Sequence, residues 1–174
     1  MNIFLNLGIL FFNICRFKSA PQHLPYSPIL LWGSMIAYVV MNVPLLLTQN
    51  DFPTALLLSV IEIALICLVI ASLLYIVNFS SRILQTLSAV AGTGSLFGLL
   101  SMPVGLWLYS QQINDETIDF SAILLIAIVI WQLAVYVHIL RQALDLTIFS
   151  AVIVTFIALS LVATILGQIT ILLQ

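Results

Sequence analysis

Charge is what this chain has least of: among 174 residues four are Lys or Arg and six are Asp or Glu, 6% in all. A soluble domain carries about a quarter charged residues, so the water-soluble class is excluded. Four cations make no basic field, and no nucleic acid partner is expected. Two cysteines, Cys15 and Cys67, give no disulfide framework, and two histidines, His23 and His138, are too few for a metal site. The sequence holds no Ser/His/Asp arrangement and no His-Glu-x-x-His. Gly92-Thr93-Gly94 has no following Lys and lies in an apolar run, so it is not a phosphate loop. No enzyme and no cofactor are expected.

What the chain has is apolar surface: 63% of residues are hydrophobic and the mean hydropathy is +1.28. The fold class is an all-α, polytopic membrane helix bundle whose main partner is the lipid bilayer. A crossing needs about 20 residues, and the polar interruptions mark five spans at about 28–47, 54–77, 84–109, 120–140 and 147–173, which form one domain over 28–174. Ser27-Pro28 reads as a helix start, and Thr48 to Pro53 as a turn. The third span contains Gly92, Gly94, Gly98, Gly105 and Pro103, so a bent helix is expected there. The fourth continues as helix past Arg141 to Asp145. Residues 1–27 are a separate segment. Met1 to Phe17 is too short to cross, lacks the features of a signal peptide, and places Asn2, Asn6 and Asn13 on one face. It reads as an amphipathic interfacial helix with Arg16 and Lys18 at the headgroups, the alternative being a disordered or partner-bound N-terminus; a Pro-rich connector follows.

Five spans put Arg16, Lys18, Arg82 and Arg141 on one side and Asp51, Asp115, Glu116 and Asp119 on the other. Cytoplasmic loops collect Lys and Arg, so the N-terminus is expected in the cytoplasm and the C-terminus outside, in a bacterial-type inner membrane.

Glu62 is the carboxylate inside a span. Its cost of about 2.5–3.5 kcal/mol is tolerable beside Leu, Ile and Val at roughly −0.3 to −0.6 each, and the second span has fifteen of them. Asn42 and Ser101 lie at a similar depth as candidate hydrogen-bonding partners, so the three form one candidate polar site. Glu62 reads as a neutral structural acid, a proton or ion site, or a contact to a partner subunit. His138, Arg141 and Asp145, at i, i+3 and i+7, form a second candidate site at the cytoplasmic end, with His138 read as an anchor or a donor to a neighbouring loop rather than a ligand. Gly94 and Gly98 make a small-residue pattern for helix packing, and Ser160, Thr164 and Gln168 make a second stripe, both expected to face the bundle.

The run Ser81 to Gly94, followed by Met102-Pro103, by Trp131 and by His138 to Leu144 before a closing apolar span, resembles the bacterial branch of the Yip (Ypt-interacting protein) domain membrane family. The resemblance covers about residues 54–170. It implies a five-span, non-enzymatic membrane protein. The small-residue stripes and the shortage of buried polar groups favour an accessory, scaffold or assembly subunit that packs against itself or another membrane subunit through spans three and five. A small transporter or proton-coupled channel using Glu62 is the alternative.

Overall fold

The computed structural model describes residues 3–113 and 119–173. Among these there is no strand. The described residues form six α-helices: α1 (Ile3–Cys15), α2 (Pro28–Leu46), α3 (Phe52–Ile76), α4 (Ile83–Ile113), α5 (Asp119–Leu144) and α6 (Ile148–Leu173). The last five are each long and apolar enough to cross a membrane. They match the expected spans to within a few residues, and α4 runs on through Pro103 to Ile113 without a break.

Local chemistry sets the helix ends. The Ser27 hydroxyl accepts the Leu30 N–H at 3.4 Å, with Pro28 in the first turn. α1, α3 and α5 close in one way: Phe17, Asn78 and Asp145 take φ of 61°, 63° and 52°, and the following amide bonds back to Asn13, Leu74 and Arg141 at 2.9, 2.8 and 3.1 Å. This Schellman closure normally recruits glycine.

α4 is the axis of the bundle, with 61% of its apolar window buried against 17–28% in the other four. Its glycines make that possible. α2 runs parallel to it, with Tyr38 against Gly94, Asn42 against Gly98 and Leu45 against Gly105. A methyl group on Gly94 would stand 2.7 Å from the Tyr38 ring, and one on Gly98 would stand 2.9 Å from the Asn42 amide nitrogen. The expected packing stripe of Gly94 and Gly98 therefore exists, but the chain's own α2 fills it, and this face of span three is closed to a second subunit. α3 packs on α2 and α6, and α5 on α4 and α6, which closes a ring of five.

α1 and the connector lie across α4 and α5. The Phe11 ring occupies the notch at Gly92. Trp131, halfway along α5, donates its Nε1–H to the Cys15 carbonyl at 3.0 Å and meets Phe97 edge-on at 5.3 Å. The last turn of α1 is thus anchored against the middle of α5. Burial pushes the Cys15 thiol up to about 11. The connector then follows α5 to its end, where Gln22 donates to the Gln142 carbonyl at 2.7 Å and Gln85 donates to the carbonyls of Gln22 and Leu24 at 3.2 and 2.8 Å.

Candidate functional site

Near the middle of the helices the ring holds a polar cluster assembled from three of them. Glu62 of α3 has the Tyr38 phenol of α2 as its side-chain hydrogen-bonding partner. Beside them, on α5, the Gln132 amide donates to the Tyr136 hydroxyl at 3.2 Å. Tyr38 and Tyr136 are 3% and 5% exposed, so both phenols sit inside the protein. Gly94 allows this convergence, because a methyl group there would also stand 2.8 Å from the Tyr136 hydroxyl. Helical geometry supplies the rest, since Gln132 and Tyr136 are four residues apart and share a face.

These four side chains border a cavity of about 200 Å³ whose other walls are apolar: Ile66 on α3, Val129 and Leu133 on α5, Leu159, Val162, Ala163 and Leu166 on α6. Toward the C-terminal end of α3 a void of about 10 Å³ lies between Ile66, Ile70, Val90, Leu140 and Val162. Separate from it, near the C-terminal ends of α2 and α4, a cavity of about 270 Å³ is bordered by Thr48, Gln49, Asn50, Tyr109 and Gln112. The cluster can accept hydrogen bonds and hold a cation. Among the described residues no group of three or more His, Cys, Asp or Glu is placed to hold a metal ion.

The expected partners of Glu62 are placed differently. Asn42 donates to the Tyr38 carbonyl on its own helix at 2.8 Å and rests in the Gly98 notch, while Ser101 is buried on α4. The partner of the carboxyl group is Tyr38. Sequence reasoning missed Tyr38, Gln132 and Tyr136 because tyrosine and glutamine are unexceptional in spans; the i, i+4 spacings Tyr38/Asn42 and Gln132/Tyr136 were the available signal.

The trio of His138, Arg141 and Asp145 does not stay together. His138 Nε2 lies 3.2 Å from the Ser19 carbonyl, and Phe17 stacks edge-on against the ring at 5.5 Å, so His138 holds the connector. Asp145 falls beyond the last residue of α5 in a left-handed conformation, which breaks the i, i+7 register with His138. Its partner is Arg82, at 2.8 Å, which also donates to the Ala143 carbonyl at 3.1 Å. Arg141 is exposed.

Ser160, Thr164 and Gln168 are corrected most plainly. All three are exposed, and the stripe that α6 turns inward is Ala151, Thr155, Ala158 and Val162. Ser160 and Thr164 need no bundle partner, because they donate to the carbonyls of Ile157 and Ser160 on their own helix at 3.0 and 2.8 Å. Asn2, Asp115 and Glu116 lie outside the described residues. Compared with protein-family models, with curated proteins and with solved structures, the chain matches none.

Proposed function

We propose that this is a non-enzymatic protein of a bacterial-type inner membrane, with a cytoplasmic N-terminus and an outer C-terminus, that acts as an accessory or assembly subunit and associates with a second copy of itself. The observation that carries the reading is the outward stripe of α6. Ser160, Thr164 and Gln168 share it with Gly167, around which a side chain would meet open space, while the neighbouring surface presents Phe149, Phe156 and Ile157. An amide facing hydrocarbon is costly unless it is hydrogen-bonded. Small residues and an amide on one helix face let two helices approach closely. The Gln168 amide both donates and accepts, so two copies of this face satisfy each other about a two-fold axis. The cations Arg82 and Arg141 at the end opposite Asp51 support the orientation, and the Yip-like pattern supports the class. The test is the mass of the purified protein in mild detergent. A dimer that Thr164→Leu with Gln168→Leu converts to a folded monomer is expected; a lone monomer, or co-purification with a different subunit in place of a second copy, would sink the self-association.

A small transporter or proton-coupled channel is the second reading, favoured by the cavity of about 200 Å³ at Glu62. Proton or ion flux in proteoliposomes that Glu62→Gln removes would establish it in place of the first.

A further inference from the structure

We propose that the cavity beside Glu62 is a binding site for an organic ammonium ion with an apolar body. The chemistry of the lining selects this class. Among the described residues no Lys, Arg or His borders the cavity, so an anion finds no counter-charge. Two of its donors are engaged within the cluster, one Gln132 N–H on Tyr136 and the Tyr38 phenol with Glu62, and none of the others carries a charge. The one charged group it offers a ligand is the Glu62 carboxylate, with the Gln132 carbonyl oxygen as a further acceptor and two tyrosine side chains beside it. An ammonium group supplies the matching charge and N–H donors, and aromatic faces attract it through their quadrupoles. The remaining wall is Ile66, Leu159, Val162 and Leu166, which suits an alkyl or aryl body. The volume of about 200 Å³ exceeds the ~150 Å³ that accommodates benzene in an engineered apolar cavity.

The rim indicates the route. Val129, Leu133 and Ala163 border the cavity and are exposed on the flank of the bundle, where α5 meets α6. A ligand that first partitions into lipid enters from there, and an ammonium with a hydrocarbon tail is such a molecule. The proposal rests on the cavity alone: bound ammonium without flux accords with the assembly reading, and bound ammonium with flux with the transporter.

Proton and ammonium compete for the same carboxylate, so affinity falls as the pH is lowered. The other titratable groups near it are Tyr38 from α2, Tyr136 from α5 and Cys67 from α3 itself. Among the described residues α4 and α6 bring none to the cavity. Phenols and thiols ionise on the alkaline side, which leaves weakening at acid pH to Glu62.

Calorimetric titration of the full chain in a neutral detergent tests the idea, with octylammonium as probe and 1-octanol as its uncharged counterpart. The expected result is saturable binding at one site, at least tenfold tighter for octylammonium than for octanol, and weakening at acid pH. Glu62→Gln brings the ratio close to one. Ala163→Trp, which fills the rim and keeps the carboxylate, removes saturable binding. Equal affinity for the two probes, binding indifferent to pH, or a folded Glu62→Gln protein with native ammonium affinity would each overturn the proposal. Should Glu62→Gln fail to fold, the native pH series and Ala163→Trp decide.

Discussion

Replacing Gly94 by alanine adds one methyl group at the tightest point of the polar core. That methyl stands 2.7 Å from two atoms of the Tyr38 ring and 2.8 Å from the Tyr136 hydroxyl. Neither neighbour is the free end of a flexible chain, since the ring is held by Glu62 and the hydroxyl by Gln132. Overpacking of this kind costs about 1–3 kcal/mol. Alanine also has a higher helix propensity than glycine, by roughly 0.8–1 kcal/mol, so the bare substitution understates the clash. Gly33→Ala, inside α2, supplies the reference, because a methyl group there meets nothing within 4 Å. The propensity gain is common to both and cancels in the difference. Gly94→Ala is expected to be less stable than Gly33→Ala by about 1–3 kcal/mol, measured by reversible unfolding in mixed micelles. Equal stabilities would refute the close approach of α2 to α4 at this level, and with it the geometry that brings Tyr38 and Tyr136 together.

Three further outcomes are expected. Asp145→Asn removes an exposed ion pair and costs at most about 1 kcal/mol, whereas Arg82→Ala also strips the Ala143 carbonyl of its donor and costs about 1–3 kcal/mol; equal unfolding free energies for the two would mean that the carbonyl contact contributes nothing. Asn78→Gly relieves a φ of 63° and stabilises by up to about 1 kcal/mol, visible as a higher melting temperature, while Phe17→Gly gains the same relief but loses the stacking on His138 and stays near native. In a Cys67→Ala background, maleimide labelling of Cys15 at pH 8 should run roughly a hundredfold slower than for an unperturbed thiol, since burial raises the thiol from 9.0 to about 11. The rate should climb with pH through that range, and Trp131→Phe, which deletes the donor to the Cys15 carbonyl, should accelerate it; fast labelling of the native protein would remove the anchored α1.

The spans were legible because their ends are punctuated by groups that hydrocarbon rejects: Ser27-Pro28, the Thr48–Pro53 turn, Asn78 to Arg82. The glycines of α4 announced a close approach, yet nothing in their spacing says which helix arrives, and the answer, α2, depends on ring closure by all five spans. Glu62 stood out as the sole intramembrane carboxylate. Its surroundings did not, because Tyr38 and Gln132 become a site only when α2 and α5 face α3. The α6 stripe was misread for a local reason: Ser160 and Thr164 satisfy themselves on their own backbone, so their polarity carries no information about which side faces protein. The trio of His138, Arg141 and Asp145 failed because helical periodicity was extended one residue past Leu144, into a left-handed turn.

The order of the helices has a consequence for how the protein is made. The two spans of lowest mean hydropathy, α4 at 1.5 and α2 at 1.9, are the pair that pack along one another, while α3 between them has 2.8. A chain synthesised only as far as α3 therefore presents Tyr38 and Asn42 with no glycine notch to receive them. Until Gly94 and Gly98 emerge, α2 has α3 alone to pack on, and the closest helix contact of the bundle forms only after the third span has been made.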